Sequence, residues 1–324
     1  MSKKAAAIII ACICALSCIA FAACSAPAQS RSTESISAEA TDVTKKDPPS
    51  TDPFYVLVVG NDSRIGTIEI DQEYYSDGKG RSDTSMLVRV DPKTYVVDII
   101  TIPRDTATDL DGSLMKFNHA YYFGGIEGEL DQVEKLTGVR PQYYLDTTFV
   151  GFEKFVDKLN GVDVTRPIDR SLRDIVSGKW IDLSAGDQHL DGPEALVFAR
   201  VRKEFANYDL PAPQESYRQN DDRQIVQSLI MKVAQGGIGT DLAVNALLAN
   251  CDSNFDPDDL EWYVNDFAKN ADKITIYSAT GPYDGDFAET GEWLAYRDED
   301  TWHAIIAAVE AGEDPNTVFE HPEF

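Results

Sequence analysis

Phe54-Tyr55-Val56-Leu57-Val58-Val59-Gly60-Asn61-Asp62-Ser63-Arg64 is the stretch from which the fold class is read. Six consecutive apolar, β-favouring residues that halt at a glycine describe a strand covered on both faces, hence one at the centre of a sheet. Polar and charged residues follow at once: Asn61, Asp62, Ser63 and Arg64 stand at the carboxyl end of that strand, where open α/β sheets gather their ligands.

Working outward, Thr84 to Val90 and Tyr95 to Ile102 are joined by Asp91-Pro92-Lys93-Thr94, whose aspartate and proline suit a tight turn, so the pair reads as a β-hairpin. Arg81 and Asp83 precede the first strand, and Arg104 and Asp105 follow the second. In an antiparallel pair the start of one strand lies beside the end of the other, so these two charged clusters are expected to meet. Further on, Gly128 to Thr137 reads as helix, Gln142 to Asp146 as strand and Thr148 to Leu159 as helix. Pro193 to Val201, Asp221 to Ala234, Ala243 to Leu248, Leu260 to Phe267, the strand-like Ile274 to Ser278 and Trp302 to Val309 continue the alternation. This is the pattern of a layered α/β domain, and 54–324 reads as a single one, with no second linker and no repeat.

Before the strand the chain has a different character. Lys3 and Lys4 precede an uncharged apolar run from Ala5 to Ala23, the form of an export signal. Ala22-Ala23-Cys24 suits lipoprotein processing with acylation of Cys24. Cleavage by an ordinary signal peptidase and retention of 1–23 as a membrane anchor are the alternatives, since about 20 apolar residues span a bilayer. Residues 24–53, rich in Ser, Thr, Ala, Asp and Pro, read as a disordered tether. All three fates place the globular part outside the cytoplasm. Four of the five cysteines lie at or before Cys24, so Cys251 has no partner for an intramolecular disulfide and reads as a small buried residue. The four histidines form no zinc-binding spacing.

The chain carries 29 basic and 55 acidic side chains, a formal net charge of −26. That balance argues against nucleic acid as a partner, because duplex binding draws on a broad basic surface. Any phosphate site must be a local concentration of arginines. Such a concentration is present: Arg81-Ser82-Asp83-Thr84, Pro103-Arg104-Asp105 and Phe198-Ala199-Arg200-Val201-Arg202 each bring arginine to the end of an element. Arg200 and Arg202 share one side if extended and splay by about 200° if helical. Arginine's planar fork grips phosphate oxygens bidentately and keeps its charge. One Arg-x-Asp alone is more often a surface ion pair than a site; the repetition at strand ends in so acidic a chain is what points to chemistry.

These motifs, with Lys116-Phe117-Asn118-His119-Ala120 and Gly151-Phe152-Glu153 followed by Gly161-Val162-Asp163-Val164, occur in the order seen in LytR-CpsA-Psr proteins, and the chain resembles that family from about Phe54 to Ala234. The resemblance implies a three-layer α/β/α domain with a central mixed β-sheet. It implies transfer of a phospho-glycopolymer from a polyprenyl pyrophosphate carrier to peptidoglycan or a surface glycoprotein, by a protein held at the membrane. By motif position, Asp62 and Asp83 are the expected ligands of Mg²⁺, with Mn²⁺ as the alternative ion. Arg81, Asp83, Arg104, Arg200 and Arg202 are the expected catalytic set. Arg64, Asp105, Lys116, Arg223 and Gln224 are expected to contact substrate.

The chain departs from the family twice. The segment from Ile65 to Gly80, with Tyr74 and Tyr75, lengthens the loop between the two aspartates. Where the family carries an acid, an arginine and then Arg-Gln, this chain reads Tyr217-Arg218-Gln219-Asn220-Asp221-Asp222-Arg223-Gln224, in which Arg223-Gln224 fits the end and the earlier arginine is displaced or missing. Two other functions fit the same residues: hydrolysis of polyprenyl pyrophosphates, and non-catalytic binding of a carrier lipid or wall glycan by a lipoprotein.

Overall fold

The computed structural model describes residues 47–70, 79–208 and 214–318. The export segment, Cys24, most of the tether, and Tyr74 and Tyr75 of the long loop lie outside the described residues. Among the described residues no helix is long and apolar enough to cross a membrane.

The apolar run forms β1 (Phe54–Asn61), which pairs antiparallel with β2 (Ser82–Asp91). Its other neighbour, in parallel, is Tyr143–Thr147. β2 turns into β3 (Val96–Thr101) as the expected hairpin. β4 (Ala107–Leu110) and β5 (Ser113–Lys116) form a small hairpin after it. α1 (His119–Thr137) follows, then the Tyr143–Thr147 strand, β6, and α2 (Phe149–Lys158).

β7 (Val162–Arg166), β8 (Arg170–Arg173), β9 (Trp180–Leu183) and β10 (Gly186–Leu190) make two outlying antiparallel pairs. α3 (Gly192–Arg200) and α4 (Gln214–Ala234) come next. α5 (Thr240–Leu248), β11 (Asp252–Ser253), α6 (Pro257–Lys269), β12 (Thr275–Thr280), the pair β13 (Gly285–Phe287) and β14 (Trp293–Ala295), and α7 (Glu299–Ala311) complete the chain. The main sheet is mixed, in the order β11-β6-β1-β2-β3-β12.

Side chains alternate across a strand, and β1 spends both faces on the interior. Phe54 and Val56 join the core under α2 to α6. Tyr55, Leu57 and Val59 join the core under α1 and α7, with Phe117, Trp302 and Ile305. Two buried faces require two covering layers, so the sheet lies between helices in a three-layer α/β/α domain. Burial of a side chain such as Leu57, fully shielded, contributes about 1.5–3 kcal/mol.

The C-terminal part belongs to this domain: β12 pairs in parallel with β3, and Trp302 of α7 is fully buried. The end of the tether is also engaged. The Ser50 carbonyl accepts from the Tyr263 hydroxyl at 2.7 Å, and Lys93 pairs with Asp52 at 2.5 Å.

Two helices run longer than their apolar periodicity indicates. α1 starts at His119 rather than Gly128, because its first turn is aromatic, with Tyr121 and Tyr122 half-buried and Phe123 exposed, and shows no apolar periodicity. α4 starts at Gln214 rather than Asp221, because its first half buries Glu215, Arg218, Gln219, Asp221 and Asp222 in place of apolar side chains. Hydrophobic spacing cannot register a helix that buries charge.

Candidate active site

The carboxyl ends of β1 and β6 and the start of β2 open onto a cavity of about 610 Å³, roofed by α2, α3 and α4. Its depth is apolar, with Met86, Phe152, Phe155, Leu196, Ile225 and Leu229. The part of its lining at the strand ends is charged, with Asp62, Arg64, Asp83, Arg104, Arg200 and Arg202, and the buried Arg218 and Asp222 adjoin them.

The hairpin sets the centre. Arg104, just past β3, reaches across to Asp83 at the start of β2, with Nη1 2.6 Å from Oδ1, so the two charged clusters meet as the antiparallel geometry requires. Asp62 leaves β1 where the β1–β2 register shifts between Gly60 and Asn61. Its Oδ1 accepts the Arg81 amide at 2.7 Å, and Arg64 donates to its carbonyl at 2.9 Å. Burial raises the Asp62 pKa, and the negative charge of Asp83 adds to the rise against the pull of Arg64 and Arg81.

Two carboxylates close enough to repel, one of them partly desolvated, are a donor set that fits a divalent cation. Mg²⁺ takes one or two carboxylates and completes its shell with phosphate oxygens and water. Among the described residues no group of three or more His, Cys, Asp or Glu side chains is placed to hold a metal by itself.

α3 ends at Arg200. Val201 is its extended C-cap, and Arg202 lies beyond, so the Arg-x-Arg pair straddles a helix end and both members reach the cavity. Arg64 and Arg200 each stand 5.1 Å from the centre of the Phe149 ring. Nη1 of Arg200 is buried with no hydrogen-bond partner. Burial lowers the Arg200 pKa, and the neighbouring Arg64 charge lowers it further. Two guanidinium groups crowded in this way are stabilised by a bound anion.

α4 supplies a group that sequence reading passed over. Glu215, Arg218 and Asp222 recur at helical spacing on one buried face, and that i, i+3, i+7 spacing is the signal that could have found them. Arg218 pairs with Glu215 and, at 2.8 Å, with Asp222, and donates to the Asp83 carbonyl at 3.0 Å. Glu215 also faces Arg104 at 3.4 Å and Arg202 at 3.5 Å. Burial alone would raise its pKa; the charges of Arg218 and Arg104 overcome this and hold it at about 2. Asp222 accepts from Thr84 at 2.7 Å, and burial lifts its pKa to about 6 despite Arg218. Arg218 thus occupies the cavity where Arg223-Gln224 was expected to contribute.

Five expected residues, Arg223, Gln224, Lys116, Asp105 and Arg81, lie outside the cavity lining. Arg223 is buried and donates to Thr101 at 3.1 Å. The Gln224 side chain accepts from the Thr165 amide at 3.0 Å, in a shallow crevice beside β7 and β10. Each points away from the arginine cluster because successive helix positions are turned by about 100°. Lys116 pairs with Asp105 at 2.7 Å, and the Tyr283 hydroxyl lies 3.3 Å from the same carboxylate, which ties β5 to the C-terminal region. The Arg81 guanidinium sits over the Tyr122 ring at 5.5 Å, while its backbone amide and carbonyl both bond to Asp62. Cys251 lines the cavity wall, and burial pushes its thiol up to about 12, the behaviour of an inert cysteine.

The LytR_cpsA_psr family model matches residues 21–305. A polyisoprenyl-teichoic acid–peptidoglycan teichoic acid transferase TagU of Bacillus cereus (strain AH820) is 33% identical over 254 residues, 76% of this chain and 74% of that protein. The protein of that name from Bacillus mycoides (strain KBAB4) is 31% identical over 252 residues, with 76% and 74% covered. Among solved structures, B. subtilis TagV superposes with a TM-score of 0.62 at 24% identity, covering 85% of this chain and 100% of that one. TagT bound to LIIa-WTA gives 0.60 at 22% identity, covering 83% and 93%. These two share the three-layer fold. With the family model covering most of its length, the chain belongs to the LytR-CpsA-Psr family.

Proposed function

We propose that the protein transfers a phospho-glycopolymer from a polyprenyl pyrophosphate carrier to peptidoglycan, with the teichoic acid transferases as its relatives. One observation carries the reading: a single cavity grades from an apolar depth to a charged part where Arg200 lacks a hydrogen-bond partner for a buried nitrogen. A polyprenyl chain suits the depth, and a pyrophosphate suits the crowded guanidinium groups.

Arg64, Arg104, Arg200 and Arg202 bind and orient the two phosphates. Glu215 and Asp222 hold Arg218 rigid, and Glu215 steadies Arg104, so the positive charge is in place before substrate arrives. Asp62 and Asp83 would hold the divalent cation, Mg²⁺ with Mn²⁺ as the alternative; when bound, it supplies further neutralisation of phosphate charge. The acceptor hydroxyl oxygen bonds to the phosphorus that carries the glycan, and the bond to polyprenyl phosphate breaks. The departing monophosphate keeps the electron pair and takes up the proton. The reaction belongs at the outer face of the cell membrane, with attachment through lipid on Cys24 or an uncleaved N-terminal helix.

The test is phosphate-linked transfer by the full-length protein in detergent, from a synthetic polyprenyl pyrophosphate glycan to peptidoglycan fragments. Chelation of divalent ions is expected to abolish transfer and Mg²⁺ to restore it. Arg104→Ala is expected to lower kcat about 10²–10³-fold, the usual cost of one transition-state donor. Phosphate release that proceeds equally fast without acceptor would replace transfer by hydrolysis. Donor binding with no turnover would leave a binding protein.

A further inference from the structure

A second hollow, of about 840 Å³, lies across the end of β1 from the arginine-lined cavity. The two share Asn61, Thr148 and Cys251. The first cavity opens between the sheet and α2, α3 and α4, whereas the second is walled by the first turn of α1 and the outer side of α2. The volume falls within the range of about 300–1,000 Å³ usual for ligand sites.

Its lining combines exposed rings with fixed polar groups. Phe123 is 61% exposed and meets Tyr122 edge-on, with ring centres 5.1 Å apart. Arg81 and Lys79 stand over the other ring, Tyr122, at 5.5 and 5.4 Å, which joins this ledge to the strand end that carries Asp83. Behind it, Asp146 accepts from the Tyr121 hydroxyl and, at 2.7 Å, from Asn61 Nδ2. Asn61 Oδ1 in turn accepts the Ser63 amide at 3.1 Å.

The backbone is bent to present the ledge. Gly125 interrupts α1 at φ 61°, ψ −152°, a region only glycine adopts readily. A Cβ there would meet nothing within 4 Å, so the glycine serves backbone geometry rather than packing. An exposed Phe123 beside the half-buried Tyr122, at a glycine break next to a reaction centre, marks a candidate binding surface.

We propose that this hollow is the acceptor subsite and holds a stretch of the peptidoglycan glycan strand. The inference rests on the transfer reading above. In an in-line displacement the attacking and leaving oxygens lie on opposite sides of phosphorus. The polyprenyl phosphate departs toward the apolar depth under α2, α3 and α4. The acceptor hydroxyl therefore enters from the far side of the β1 end, where Asn61, Ser63 and the ledge stand. A pyranose ring offers an apolar C–H face to Tyr122 or Phe123 and hydroxyl and amide groups to the polar wall, and Lys154 at the rim suits stem-peptide carboxylates.

The experiment compares wild type, Phe123→Ala and Phe123→Tyr as full-length protein in detergent. It measures KM for peptidoglycan oligosaccharide and for donor, and calorimetric binding of the oligosaccharide without donor; thermal midpoints establish equal folding. Phe123→Ala is expected to raise the acceptor KM and weaken oligosaccharide binding about threefold to tenfold, the worth of one aromatic contact. Donor KM should stay unchanged, and Phe123→Tyr should restore the acceptor values. A rise in donor KM instead would assign the hollow to the donor's own glycan and overturn the proposal, as would no change in either. If wild type binds oligosaccharide through Phe123 yet transfers nothing, the transfer reading falls while the glycan site stands.

Discussion

Arg104 and Arg200 show how the same residue type acquires different work from its surroundings. Arg104 is held between Asp83 and Glu215, so its position is fixed before any ligand binds. Arg200 has a buried nitrogen without a partner and a cationic neighbour, so its charge is left for substrate. Both were legible in the sequence as arginines at the ends of elements. Arg218 was not, because it lies before Asp221, where the apolar periodicity that reveals the helix begins. The opposite helix layer has a comparable buried acid, Glu129, bonded to Ser85. Burial lifts its pKa from an ordinary value near 4.5 to about 8. Because the folded value is the higher one, its contribution to stability is complete below pH 4.5 and is lost as pH rises through about 8. Thermal midpoints followed from about pH 6 to about pH 9 should fall more steeply for wild type than for Glu129→Gln, in which no carboxyl is left to ionise. Parallel curves would show that Glu129 titrates normally.

At the scale of elements, local signals placed β1, the β2–β3 hairpin and α2 where the structure has them, and the structure makes the segment left open between extended and helical the end of α3. The α3 start is set by a capping box: Asp191 accepts the Glu194 amide at 3.0 Å while Glu194 accepts the Asp191 amide at 3.0 Å, and a proline opens the first turn. Asp191→Ala should cost about 0.5–2 kcal/mol, read as a lower urea midpoint with an unchanged slope. Because Arg200 and Arg202 lie at the opposite end of α3, transfer at temperatures where the variant is folded should persist. Where the sequence was silent, the cause differs by element. The first turn of α1 hides behind aromatics without apolar periodicity and a glycine break, and the first half of α4 hides behind charges that only tertiary pairing makes buried.

Across the whole molecule, the sheet and its two helical layers include the C-terminal part as a structural necessity. β12 covers the edge of β3, and Trp302, Ile305 and Val309 of α7 fill the core that faces Tyr55, Leu57 and Val59. A chain ended before Thr275 would expose both the β3 edge and that core. It should show no cooperative unfolding transition by near-ultraviolet circular dichroism, and a sharp transition would mean that residues 54–274 fold alone. The sequence by itself determined the layered α/β class, the strand end at which the site forms and most of its arginines. These follow from periodicity and from the sparse placement of cation in an acidic chain, both properties of neighbouring residues. Tertiary structure decided that Arg218 and Asp222, braced by Glu215, belong to the cavity, that Arg223, Gln224, Lys116, Asp105 and Arg81 lie outside its lining, and that a second hollow adjoins it. Those outcomes depend on which faces of separate elements are pressed together, and that information resides in packing rather than in local spacing.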